Sequence, residues 1–225
     1  MKKFLILSLV ALFTASLAQA AITRADAITR VESCEAILQE FQRRPETAIP
    51  SNVLQRAKAL IILNQFRAGF FFGVKDGYGV IMVRRADNSW SIPVLIRAGE
   101  ASLGLQVGAT SVESIYVVMD ANVPKLLFKE RFNIGVDAKA VAGPHEASKE
   151  RYNEEILKTP ILAYTRAVGA FVGATVKAGY LNRDDDINML LYHTQYKLPE
   201  LLYGDFVPPV PEVLPLMHLV QRIAP

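Results

Sequence analysis

The sequence predicts an α+β fold: a strongly curved antiparallel sheet or partly closed β-barrel, flanked by an N-terminal helix and C-terminal helices. Three observations carry this. Apolar residues recur at helical spacing over residues 26–43. Short β-rich runs separated by turn residues then fill residues 59–119. Seven of the 13 glycines (69, 73, 77, 79, 99, 104 and 108) fall within that same stretch, where glycine marks bends, bulges or close backbone approach.

The chain has 225 residues, with 51% hydrophobic and 21% charged, which excludes a disordered or collagen-like chain. Residues 1–20 read as a secretory signal peptide. Lys2 and Lys3 form the charged start, residues 4–13 the apolar run, and Ala18-Gln19-Ala20 the small-x-small cleavage pattern. Ala21 is not the cysteine that a lipoprotein would need there. Cleavage after Ala20 leaves one expected domain, 21–225, exported to the periplasm or cell envelope. Of 25 basic residues two are removed, leaving 23 against 22 acidic ones, so bulk charge gives no indication of nucleic acid. Cys34 is the one cysteine, so no intrachain disulfide can form, and it fits the apolar stripe of the first helix.

In the first helix Ile28, Val31, Cys34, Leu38 and Phe41 share a face, and Pro45 and Pro50 end it. Ser51 or Asn52 caps a second, short helix carrying Val53, Leu54 and Ala57. Strand texture covers residues 60–63, 70–72, 80–83, 92–96, 103–107 and 115–119. Asn122 starts a short helix through Lys129, and strand texture returns over 133–141 and 161–177. Asp184, Asp185 and Asp186 precede Ile187, Leu190 and Leu191 as the acidic first turn of a helix. After Pro208, Pro209, Pro211 and Pro215 a last helix carries Leu216, Leu219, Val220 and Ile223.

No catalytic or cofactor motif stands out. His145, His193 and His218 lack metal-ligand spacing, and Gly77-x-Gly79 lacks the third glycine of a dinucleotide loop. Asp184-x-Asp186-x-Asn188 opens like an EF-hand loop, but Met189 stands where glycine is required and Gln195 where a bidentate glutamate is. The expectation is therefore a non-enzymatic protein without cofactor or metal. Its candidate ligand residues are cations and aromatics: Arg43, Arg44, Arg56 and Lys58 around the first two helices, Arg84, Arg85 and Arg97 around the Trp90 hairpin, and Phe70, Phe71 and Phe72. Solvated faces and core packing are the competing reading of the same residues. As a set they suit an anionic phospholipid or membrane surface, each cation near such a surface contributing on the order of 1 kcal/mol. Against the first helix itself lying on anionic lipid stand Glu32, Glu35 and Glu40.

An ordered series of segments then resembles a known family. It runs Ile49-Pro50, Ala57-Lys58-Ala59, Ala68-Gly69-Phe70, Gly73, Gly77-Tyr78-Gly79-Val80 and Asn88-Ser89-Trp90-Ser91-Ile92-Pro93. It continues through Gly104-Leu105-Gln106-Val107-Gly108, Gly135-Val136-Asp137-Ala138, Ala142-Gly143-Pro144, and Asn188 with Tyr192. Together these are similar to the SYLF domain, also described as the actin-binding domain of a yeast actin-patch protein, across residues 49–203. The resemblance implies one α+β lipid-binding module. It implies phosphoinositide and actin binding for eukaryotic members and phospholipid binding for small stand-alone bacterial envelope members. It assigns no ligand residues. An envelope protein partner, met through a sheet edge or the Pro-rich C-terminus, is the alternative. Trp90 is expected to close the core under its hairpin, and Asn188 to hydrogen-bond backbone groups of the sheet.

Overall fold

Thr23 starts the first helix with a capping box: its hydroxyl accepts from the Asp26 amide, while the Asp26 carboxylate accepts from the Thr23 amide at 2.7 Å. From there α1 (Arg24–Arg43) runs five turns, burying Ala27, Val31, Cys34, Ile37, Leu38 and Phe41. The computed structural model describes residues 22–69, 72–103, 108–128, 131–144, 154–168 and 179–225.

Pro50 precedes α2 (Ser51–Arg56), where its fixed φ suits the helix entry. Eight strands follow: β1 (Ala59–Gly69), β2 (Phe72–Val83), β3 (Val94–Leu103), β4 (Gly108–Val118), β5 (Arg131–Asn133), β6 (Ala140–Ala142), β7 (Ile161–Val168) and β8 (Tyr180–Arg183). They form one sheet in the order β5-β8-β3-β2-β1-β4-β7-β6, curled into a half-barrel. The expected antiparallel pairing holds along the sheet until its edge, where β6 runs parallel to β7 and makes the sheet mixed. A 3-10 helix (Val123–Phe128) and α3 (Glu154–Leu157) sit between strands. The chain closes with α4 (Asp185–Tyr192), α5 (Leu198–Tyr203) and α6 (Leu214–Ile223).

The β1 run Leu60-Ile61-Ile62-Leu63 is wholly buried, as are Val80, Ile81 and Met82 of β2 and Val94, Leu95 and Ile96 of β3. Consecutive buried residues mean that both faces of this half of the sheet are covered, which is why the sequence reads there as unbroken apolar runs. Each such side chain contributes roughly 1.5–3 kcal/mol of burial. Helix α1 packs on β1, β2 and β3, with α4 and α6 beside it. Glycine enters this core where β1 and β2 touch: a Cβ on Gly79 would stand 2.1 Å from the Ile62 carbonyl oxygen and 2.5 Å from Leu63 Cδ2.

Two polar side chains finish the sheet where strands do not reach. Beyond the end of β8, Asn188 accepts from the Leu95 amide and donates to the Leu95 carbonyl, both at 2.8 Å, taking a strand's place on the β3 edge. The Tyr192 hydroxyl donates to the Pro93 carbonyl one step further on. Trp90, 4% exposed, closes the core as expected, and its indole donates to the Ala224 carbonyl at 2.8 Å.

Candidate amphiphile cleft

Beyond the doubly covered half, the α1 face of the sheet turns polar along one row. Registered partners there are Asn182, Arg97, Tyr78, Asn64, Glu113 and Arg166, from β8 across to β7. Directly paired residues share a face, so the row forms one polar belt across the sheet. At one end Arg166 binds Glu113 and reaches Glu40 of α1 at 3.0 Å, tying helix to sheet. In the middle Asn64 donates to Ser33 of α1 and to the Tyr78 hydroxyl, each at 3.2 Å, and accepts from Ser111 at 3.0 Å.

Beside this belt opens a cleft of about 680 Å³, lined by Ile22, Arg30, Asn64, Phe66, Gly77, Tyr78, Arg97 and Ser111. That volume lies in the usual range for small-molecule sites, about 300–1,000 Å³. Two guanidiniums converge on it around one carboxylate. Arg97 grips Asp184 with two donors, Nε at 2.7 Å and an Nη at 3.0 Å, while Arg30 stands 3.7 Å from the same carboxylate. Asp184 is 2% exposed at the start of α4, where the two guanidiniums are its ion-pair partners. The Arg30 guanidinium lies over the Tyr78 ring at 5.1 Å. Phe66 and Ile22 bring apolar surface to the same cleft, 54% and 40% exposed. The cleft thus sets cationic and apolar groups side by side.

The cations expected from sequence do not converge. Arg97 alone lines the cleft. Arg43 and Arg44 pair with Glu40 at the far end of α1, thirteen residues or roughly 20 Å from Arg30. Arg56 and Lys58 are exposed around α2 and the start of β1. Arg84 and Arg85 direct their donors inward: Arg84 to the carbonyls of Leu54, Ala57, Ala224 and Pro225, Arg85 to those of Leu202 and Gly204. Burial in that nest lowers the Arg84 pKa. These two arginines fasten helices to the sheet. Phe70 and Phe71 lie outside the described residues. Phe72 opens β2 at the opposite end of β1 from Lys58, roughly 33 Å along the strand.

Nothing in the sequence groups Arg30, Tyr78, Phe66 and Asp184, because their meeting depends on register and helix placement. The Asp184 motif becomes an ion-paired helix start, as its failed EF-hand spacing implied. Cys34 is wholly buried, with its thiol pushed up to about 12 by desolvation. Among the described residues no cluster of three His, Cys, Asp or Glu is spaced to hold a metal ion, and no helix is long and apolar enough to cross a membrane.

The family model for Ysc84, described as Las17-binding protein actin regulator, matches residues 99–223, more than half of the chain. The chain belongs to the Ysc84 family. Its similarity to LAS seventeen-binding protein 3 of Saccharomyces cerevisiae is 29% identity over 183 residues, 80% of this chain and 39% of that protein. An SH3 domain-containing protein of Schizosaccharomyces pombe is 27% identical over 167 residues, 73% of this chain and 39% of that protein. SH3 domain-containing YSC84-like protein 1 of Homo sapiens is 24% identical over 176 residues, 75% of this chain and 51% of that protein. The chain therefore spans about two fifths to one half of these relatives. The SYLF expectation and the family agree.

Proposed function

We propose that this Ysc84-family chain is a non-enzymatic anionic-lipid-binding protein of the cell envelope, exported through residues 1–20. The single observation supporting it most is the cleft in which Arg30 and Arg97 stand beside exposed Phe66 and Ile22. Arg43, Arg44, Arg56 and Lys58 serve a secondary role, drawing the protein toward an anionic surface over distances that salt screens within about 8–10 Å. Flotation with vesicles containing phosphatidylglycerol, against phosphatidylcholine alone, tests this. Binding is expected with the former and should fall as salt rises. Phe66→Ser should weaken it at a stability cost of only about 1 kcal/mol, since Phe66 is half exposed. Absence of flotation with every lipid and salt condition refutes the proposal.

A second reading, an envelope protein partner, has its own support. Tyr196 and Phe206 stack at 5.3 Å with 43% and 62% exposure, just before Pro208 and Pro209. Two relatives are named for binding Las17 or for SH3 domains, so partner proteins are part of the family's setting. Crosslinking with Tyr196→Ser/Phe206→Ser is the suitable test, because truncation at Phe206 would also remove α6 from the core. An unchanged set of crosslinked partners counts against it.

A further inference from the structure

The two guanidiniums of the cleft are not equivalent. Arg97 is bonded twice to Asp184, which fills the carboxylate's bidentate face. Arg30 approaches that carboxylate only to 3.7 Å and makes no hydrogen bond among the described residues. Its five N–H donors are therefore held in place by Tyr78 stacking and by charge. Arg30 remains one-quarter exposed on the cleft side. Such a cation can take a second anion without breaking the Arg97–Asp184 pair.

Resting on the lipid-binding reading, we infer that the cleft seats one molecule carrying a single acidic group on a single alkyl chain, with Arg30 as its docking cation. The chain lies along Phe66 and Ile22, whose exposed rings and methyls it covers. Asp184 is the internal counter-charge that holds Arg30 in place when the cleft is empty. Volume sets the size: at ~30 Å³ per water-sized group, 680 Å³ accommodates roughly twenty such groups, one acid head with one long chain, so that a two-chain phospholipid of a vesicle would seat only its head and one chain. Charge sets the head. Two guanidiniums against the one Asp184 carboxylate leave the cleft one net positive charge, matching one carboxylate or one phosphodiester and not a cluster of phosphates.

The test uses the full chain, stripped of co-purifying lipid, titrated calorimetrically with palmitate, lysophosphatidylglycerol and hexadecanol below their aggregation concentrations. Phosphatidylglycerol vesicles are floated in parallel. Palmitate or lysophosphatidylglycerol should bind about tenfold or more tightly than hexadecanol, since a charge-assisted bond is lost in the alcohol. Which acid binds more tightly distinguishes a free acid from a lipid headgroup as the source. Arg30→Gln should remove that preference while the protein still unfolds in one cooperative transition, and Arg30→Lys should restore part of it. Asp184→Asn, where it folds, should tighten acid binding by releasing Arg97. Equal binding of acid and alcohol, or an Arg30→Gln protein that keeps the preference, overturns the inference. Vesicle flotation without binding of any monomeric acid also overturns it, yet leaves the lipid-binding reading standing. Failure of both removes both.

Discussion

Arg84→Ala separates a structural arginine from a ligand-binding one. The Arg84 guanidinium makes two bonds at 3.0 Å, to the Ala57 and Ala224 carbonyls, a third at 3.3 Å to Leu54, and a fourth to the Pro225 carbonyl. It also lies 4.8 Å over the Trp90 ring. Discounted for the water that reaches the chain terminus, the two bonds at 3.0 Å are worth about 1–1.5 kcal/mol each, and the ring contact about 0.5–1. The variant should lose about 3 kcal/mol. For a chain of this size that lowers the midpoint by roughly 6–12 °C. Thermal and urea unfolding followed by circular dichroism read the change, with the urea slope unaltered. Arg84→Lys should recover only part of the loss, because an ammonium cannot span carbonyls from α2 and from the C-terminus at once. Stability within about 0.5 kcal/mol of the parent would refute the clamp. It would also return Arg84 to the pool of candidate ligand cations.

Asn188→Ala should cost about 3 kcal/mol or more, because it leaves the buried Leu95 amide and carbonyl without partners; urea unfolding measures it. Gly79→Ala should fold poorly or lose at least about 3 kcal/mol, since the new methyl meets backbone at 2.1 Å. Gly135→Ala, at φ +86° with nothing within 4 Å, should lose only about 1 kcal/mol, and comparing the two midpoints separates crowding from backbone strain. Cys34, buried and with its thiol pushed up to about 12, stays protonated at neutral pH. Ellman's reagent should leave it untouched in the native protein and modify it promptly in denaturant, and a non-reducing gel should show no disulfide-linked dimer. Prompt native labelling would mean that α1 leaves the sheet far more often than its packing allows.

The length and face of α1 followed from periodicity, and α4 from its three leading aspartates, because helix signals are local. Residues 60–63 and 80–83 announced themselves as strands by their β-rich composition, while their burial on both faces came from the helices that the tertiary fold lays over them. Strand β8 went unread: four residues, Tyr-Leu-Asn-Arg, carry no run long enough to signal a strand, and it exists because β3 and β5 offer edges on either side of it. Helix α5 was missed for a similar reason, being six residues long and beginning at Leu198-Pro199.

For the site the division is sharper. Charge was visible in the chain, but the partner of each charge was not. Arg84 and Arg97 look alike in sequence, each beside the Trp90 hairpin. One points into a nest of carbonyls from segments up to 141 residues away, and the other into an open cleft. Composition and periodicity determined that this protein has helices, a glycine-rich sheet and a set of cations, since those properties depend on neighbours within a few residues. Tertiary structure alone decided which cations stay available, because that depends on where strand register and helix docking place a carboxylate from elsewhere in the chain.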